Sequence, residues 1–309
     1  MTYDLIIVGG GPGGTAGAVY AARKRLKTLF VTFEWGGQSI VSEKIFNWIG
    51  TNAISGFDLA DSFKKHVMEY KGEFLDVYDS EKVSKVEKNG DHFTITTEGG
   101  KTFEGMSVLI TTGSGRRKLE IPGAAEFEHK GITYCASCDG PLFADQDVIV
   151  IGGGNAAFET AAQLLAYCKS VTLFNRSDSF RADEITVEKV LTNPKMKVIK
   201  NVEFVEVKGE KVAKTLVYKD KATGETHELA TGGIFVEIGQ IPNNELVKDL
   251  VELNPEGKVV VNPLNCRTSV EGVWAAGDIT NGLYHQNNIA AGDAVKALED
   301  LYIWVQKQK

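Results

Sequence analysis

The stretch YCASCDGPLF sets Cys135 and Cys138 in C-x-x-C spacing and follows them directly with Asp139 and Gly140. Cysteines at this spacing can clip a metal ion, staple the chain, or interconvert between dithiol and disulfide. Zinc normally takes four ligands, and the remaining cysteines, Cys168 and Cys266, stand alone with no nearby histidine to complete a set. No metal is therefore assigned. Four cysteines in 309 residues are too few for a disulfide scaffold, and in a reducing compartment a close pair is more often redox-active or metal-binding than structural. Cys168, after an apolar helix, and Cys266, in a turn, are expected to be inert packing or surface positions.

Redox chemistry needs a source of electrons, and two glycine-rich turns could hold one. After the apolar run YDLIIVG, the segment GGGPGGTAGAVYAARKR sets Gly9, Gly11 and Gly14 in G-x-G-x-x-G register and then reads as a helix. After DVIVIG, the segment GGGNAAFETAAQLLAYC repeats the arrangement with Gly152, Gly154 and Ala157. In such a turn the first glycine allows the bend, the second lets a pyrophosphate approach the backbone, and the third lets the helix pack closely on the strand. Two dinucleotide sites in one chain suggest a flavin and a nicotinamide passing a hydride.

The elements around these turns repeat as well. Each half reads as strand, glycine turn, helix, strand, helix, a meander of short strands, and a final strand: SVLITTG in the first half and GIFVEIG in the second. The tail contains the short strand GVWAAGD, ending in Gly277 and Asp278, and the helix-like NIAAGDAVKALEDLYIWV. It is too short for a domain and is expected to rejoin the first half. The predicted fold is therefore α/β, with two Rossmann-like, three-layer ββα dinucleotide-binding domains, the second inserted in the first. One comprises residues 1–114 plus 245–309; the other, carrying the cysteine pair, comprises residues 115–244.

The ends of the second strands separate the two sites. In LFNRSDSFRADE, Arg176 and Arg181 lie where an arginine favours a 2′-phosphate and an acid favours a free ribose, so the second half is read as an NADPH site. The plain alternative is that both arginines are solvated. Glu34 lies near the corresponding ribose position of the first half.

With both fingerprints, the cysteine pair between them and VWAAGDIT near the end, the chain resembles the low-molecular-weight thioredoxin reductases, the class II pyridine nucleotide-disulfide oxidoreductases. The matching stretches run over essentially the whole chain and include GGGPGG, GGQ, YCASCDGPLF, GGGNAAFE, FRA, IGQIPNN, RTS, AAGDI and YHQ. The resemblance implies an FAD site built from Gly9, Gly11 and Gly14 at the pyrophosphate, Gln38 and Asn47 near the flavin ring, Gly277 and Asp278 on the ribitol or phosphate side, and Gln286 over the isoalloxazine. It implies NADPH at Gly152, Gly154, Arg176 and Arg181, and a redox disulfide between Cys135 and Cys138. Cys138 is then the sulfur nearer the flavin, Cys135 the thiolate that attacks the acceptor, and Asp139 the acid that protonates a departing thiolate. The plain alternative for Asp139 is a helix cap. A helix starting at the pair would stabilise the thiolate through its dipole. The family rotates one domain to alternate the cysteines and the nicotinamide at the flavin, and TTGSGRRK and GQIPNNE have the composition of hinges. Arg116 and Arg117, in the first of these, are expected to be solvated linker charges.

The chain also departs from the family pattern. Asn175, Arg176 and Ser177 stand where a His-Arg-Arg run is usual, His285 where arginine is common, and Phe46 and Ile49 where an acid and a proline are usual. The expected activity is an NADPH-dependent thioredoxin-disulfide reductase, a homodimer acting on thioredoxin or a thioredoxin-like protein. One alternative keeps the disulfide chemistry with NADH or ferredoxin as donor, or runs it as a dithiol oxidase; another is a flavin-bound redox sensor. The net charge of −7, without concentrated Lys/Arg, argues against nucleic-acid and anionic-membrane partners. The N-terminus lacks the features of a signal peptide and no segment approaches a membrane span, so the expected location is the cytoplasm.

Overall fold

The computed structural model describes residues 2–42, 44–79 and 81–309, and their side chains except those at 41, 137 and 138. The chain divides into two compact units: Met1–Glu43, Trp48–Gly115 and Ile241–Lys309 form the first, and Arg116–Gln240 with the short segment Lys44–Asn47 forms the second. Among the described residues no helix is long and apolar enough to cross a membrane.

The strand Leu5–Val8 is buried at every position, as a parallel strand covered on both faces must be. Its side chains alternate between two cores. Leu5 and Ile7 join Ala18 and Ala21 of the Pro12–Arg23 helix and Leu298 and Leu301 of the Asn287–Gln308 helix. Ile6 and Val8 join Val86, Phe93 and Ile95 of an antiparallel meander, Val83–Asn89, His92–Thr97 and Thr102–Gly105. Full burial of each such side chain is worth about 1.5–3 kcal/mol, so the alternation fixes three layers of meander, sheet and helix. The parallel sheet runs in the order Val273–Ala275, Val108–Ile110, Leu5–Val8, Thr28–Val31, Leu75–Tyr78. The tail strand thus pairs at one edge, in register Val273 with Val108.

The second unit repeats this construction. Its parallel sheet runs Ile132–Thr133, Gly233–Val236, Asp147–Ile151, Ser170–Asn175, Met196–Lys200. Ile149, Ile151, Ile234 and Val236 face the meander core with Val202, Val207 and Leu216. Val148, Val150, Leu173 and Phe235 face Phe158, Ala161 and Leu164 of the Asn155–Leu164 helix. Each unit is a Rossmann-like ββα body. The strands Leu75–Tyr78 and Met196–Lys200 each form one edge of their sheet and were hidden in sequence by their mixed polar content. The chain leaves the first unit along Ser114–Arg116 and returns along Gln240–Pro242, which pair as a two-stranded sheet.

Candidate redox and dinucleotide sites

The two glycine turns are built alike. Gly9, with φ +120°, and Gly152, with φ +151°, follow the first strands, and a Cβ there would stand 2.4 Å from the Thr111 carbonyl oxygen and 2.3 Å from that of Glu237. Neither position accepts a side chain. Gly14 lies so close to the Gly9 carbonyl that an added Cβ would be 1.7 Å from it, whereas Ala157 fits, fully buried, in the equivalent place. The middle glycines differ from both. A Cβ at Gly11 would meet only the Gly37 Cα at 3.8 Å, and one at Gly154 would meet nothing within 4 Å. Each is the N-cap of its helix and makes no side-chain capping bond. Open backbone at a helix start with donors uncapped by side chains is what a dinucleotide diphosphate requires, so both turns fit that group.

In the first unit, Glu34 is exposed after the Thr28–Val31 strand, and its carbonyl oxygen accepts the Thr32 hydroxyl at 2.6 Å. Gln38 is exposed and its side-chain amide donates to the Ser114 carbonyl. Gly277 is a left-handed turn after the tail strand, with φ +77°. Asp278 follows it, and its Oδ1 lies 3.6 Å from Nδ1 of His285. His285 Nε2 in turn lies 2.7 Å from Lys258 Nζ. His285 is thus held between a carboxylate and an ammonium, a setting that nothing in its own sequence neighbourhood signals. Gln286 is the N-cap residue of the Asn287–Gln308 helix. Asn47 is half-buried and belongs to the second unit.

In the second unit the segment after Ser170–Asn175 folds back on the glycine turn. Asn175 is buried, and its Nδ2 donates to the carbonyls of Ser177 and Ser179 at 2.9 and 2.8 Å. The Arg181 N–H donates to the Gly153 carbonyl at 2.8 Å. Arg176 and Arg181 are both exposed. Asn175 therefore shapes the loop from inside, while Arg176 and Arg181 stand on it as exposed residues.

Cys135 is disulfide-bonded, whereas Cys168 and Cys266 are free thiols. The side chain of Cys138 lies outside the described ones. Burial pushes both free thiols up to about 11, so they are protonated and inert near neutral pH. The helix after Cys135, Ala136–Asp139, is a single turn, which gives much less of the dipole stabilisation expected from its start. Hydrogen bonding supplies the local order instead. The Thr133 hydroxyl donates to Asp139 Oδ2, and the Cys135 N–H donates to Thr133 Oγ1 at 3.3 Å. Asp139 makes no side-chain capping bond to the 3-10 turn that follows it. Gln163, from the Asn155–Leu164 helix, donates to the Ala136 carbonyl at 3.3 Å and ties this turn to the glycine-turn helix.

Arg116 corrects an expectation. Rather than a solvated linker charge, it lies with Nη1 3.4 Å from Oε2 of Glu237, whose side chain is 7% exposed. Thr160 Oγ1 donates to the other oxygen at 2.9 Å. Desolvation pushes the Glu237 carboxyl up to about 7 despite the pull of Arg116 and the Thr160 bond. Arg117 is exposed. Thr133, Thr160, Lys258 and Glu237 were not singled out from sequence, because each acquires its partner only through the fold.

The fold and these turns are those of a dinucleotide-binding oxidoreductase, and Cys135 is disulfide-bonded. Residues 3–294 match the model of the pyridine nucleotide-disulphide oxidoreductase family, and the chain belongs to that family. It is 37% identical over 295 residues to an NADH dehydrogenase of Bacillus subtilis, covering 96% of this chain and 57% of that protein. It is 38% identical over 297 residues to the F component of alkyl hydroperoxide reductase of Pseudomonas putida, covering 96% of this chain and 56% of that one. The chain thus spans a little over half the length of these relatives. Its structure superposes on thioredoxin reductase from Streptococcus pyogenes with a TM-score of 0.90 at 32% identity, over 99% of both chains.

Proposed function

We propose that the chain is a flavin-dependent disulfide reductase that moves electrons from NADPH through FAD and a Cys135–Cys138 disulfide to thioredoxin or a thioredoxin-like protein. The observation that carries this reading is the disulfide-bonded Cys135, whose N–H and whose neighbouring acid, Asp139, share the Thr133 hydroxyl. The discontinuous first unit holds FAD through Gly9, Gly11, Gly14, Glu34, Gln38, Gly277, Asp278 and Gln286. The second holds NADPH through Gly152, Gly154, Ala157, Arg176 and Arg181. FAD, when bound, supplies a two-electron carrier between a nicotinamide and a disulfide.

The chain's own residues carry the exchange. In the reduced pair, the Cys135 thiolate attacks one sulfur of the acceptor disulfide and forms a mixed disulfide, and the other acceptor sulfur departs as a thiolate. Cys138 then attacks Cys135, re-forming the ring and releasing the second acceptor sulfur. Asp139 holds the proton for a departing thiolate, and Thr133 fixes the carboxyl beside the Cys135 backbone. The net result is oxidation of the pair and reduction of the acceptor.

A second reading takes NADH as donor and a peroxide-reducing system as acceptor. The donor is favoured by Asn175, an uncharged side chain spent on the Ser177 and Ser179 carbonyls, and the acceptor by the similarity to the F component of alkyl hydroperoxide reductase. Anaerobic titration of the purified flavoprotein with NADPH and with NADH, followed by flavin bleaching, decides between donors. Bleaching by NADPH at near-stoichiometric amounts is expected, and bleaching by NADH alone would move the assignment. Adding oxidised thioredoxin to the reduced enzyme should restore the yellow form, and a Cys135→Ser variant should not. Light scattering checks the homodimer.

A further inference from the structure

Glu237 follows the Gly233–Val236 strand, and its N–H donates to the Ile151 carbonyl at 2.8 Å, immediately before the glycine turn. These neighbouring strands flank the point where strand order reverses: from Asp147–Ile151 the chain proceeds to Ser170–Asn175 on one side, and Gly233–Val236 is added on the other. In open α/β sheets ligands lie at the carboxyl ends of the strands at such a reversal. The Glu237 carbonyl oxygen is the atom that excludes any side chain from Gly152. Its carboxyl is fixed by Thr160, which belongs to the helix that starts at the open Gly154, and faces Arg116 on its other oxygen. An enclosed carboxyl at the head of a diphosphate cradle is not needed to support the sheet, whose neighbouring positions are apolar.

We infer that Glu237 is a residue of the nicotinamide site, and that occupation of the Gly152–Gly154 turn by a nicotinamide dinucleotide is coupled to uptake of one proton by its carboxyl. This rests on the reading of the second unit as the nicotinamide domain. The diphosphate brings negative charge to the turn, and the ligand removes the remaining solvent from the carboxyl; both oppose the ionised form. Other charged groups act on the same carboxyl. Arg116, from the crossing strand, favours ionisation, and Glu159, from the Asn155–Leu164 helix, disfavours it. Near neutral pH the free protein holds Glu237 partly ionised, so binding has a proton to take up. That proton comes from solvent, and the carboxylate becomes a carboxylic acid with no other bond changed. By reciprocity, affinity for the dinucleotide falls as pH rises above the carboxyl's own titration, by at most about tenfold per pH unit.

Calorimetric titration of the flavin-loaded protein with NAD+ and with NADP+, in buffers of differing ionisation enthalpy between pH 6.5 and 8.5, reads the coupling directly. NAD+ has no group of its own titrating in this range. Wild type is expected to take up a fraction of a proton that rises towards one at high pH, with affinity falling several-fold to tenfold over the last pH unit. Glu237→Gln should bind with no uptake and a flat profile. Thr160→Val removes a bond to the ionised form and should move the wild-type profile to higher pH. Wild-type binding without proton uptake, or equal uptake in wild type and Glu237→Gln, overturns the inference while leaving the nicotinamide site standing. Should neither dinucleotide bind wild type, the nicotinamide reading fails and the inference with it.

Discussion

The Thr133 hydroxyl donates to the Asp139 carboxylate and accepts the Cys135 N–H at 3.3 Å, so one buried oxygen ties the candidate acid to the backbone of the exchanging cysteine. Removing that hydroxyl frees the carboxyl from the Cys135 backbone, so the proton is no longer held in place for the departing thiolate. Thr133→Val should therefore lower the rate of disulfide exchange several-fold, at a stability cost of about 1 kcal/mol. Thr133→Ser should retain the wild-type rate. Single-turnover reduction of a chromogenic disulfide by the pre-reduced enzyme tests both; an unchanged rate in Thr133→Val would remove Thr133 from the exchange.

The glycines of the two turns should separate into structural and ligand-facing classes. Gly14→Ala drives a Cβ to 1.7 Å from the Gly9 carbonyl oxygen and should destabilise the first unit by about 1–3 kcal/mol or more. Gly11→Ala and Gly154→Ala add a methyl to open space. Both should melt within a few degrees of wild type, the former with reduced flavin content and the latter with a raised dissociation constant for the nicotinamide. Thermal unfolding alongside flavin absorbance and dinucleotide titration distinguishes the classes. Normal cofactor binding in both alanine variants would mean that the diphosphates do not lie over these positions.

Much of this was legible along the chain because the relevant spacing is local. The C-x-x-C pair, both glycine registers and the apolar strands before them each span a few residues, and the duplicated order of elements reveals the two Rossmann-like bodies. What escaped is long-range. Lys258 reaches His285, Thr160 reaches Glu237, and Arg116 reaches Glu237 across 121 positions. In sequence Glu237 is a polar residue at the end of an apolar strand, and only enclosure gives it a titration near neutrality. Arg116 looked like linker charge because Gly, Ser and Arg surround it; a buried carboxyl changes that reading. The single-turn helix after Cys135 likewise weakens the dipole argument that the cysteine spacing invited.

The RTS stretch owes its place to Asp300 in the C-terminal helix. Asp300 Oδ2 accepts Arg267 Nε at 2.5 Å and Trp274 Nε1 at 2.9 Å. Burial alone would raise this carboxyl, but the bonds from Arg267 and Trp274 outweigh it and hold it below the usual carboxylate range. Its contribution is present above the unfolded carboxylate range and is lost as pH falls through the lower folded value. Asp300→Asn should cost about 1–3 kcal/mol at pH 7 and less near pH 3. Denaturant unfolding at the two pH values measures the difference; an equal cost at both would mean that packing, not charge, holds this junction.

Glu237 should act on stability in the opposite sense. Its carboxyl is raised from the ordinary 4.5 to about 7, with desolvation the largest cause. Between these values the folded protein holds a proton that the unfolded chain releases, so folding takes up protons and stability falls as pH rises through the window. The full loss is about 3 kcal/mol. Glu237→Gln keeps the shape, can still accept the Thr160 hydroxyl and cannot ionise, so it should unfold like wild type at pH 5. At pH 8 it should be more stable by roughly 1–3 kcal/mol, less whatever Arg116 loses with its partner. Urea unfolding at pH 5, 6.5 and 8 follows the divergence. Parallel curves for the two proteins at every pH would place the Glu237 titration outside this range.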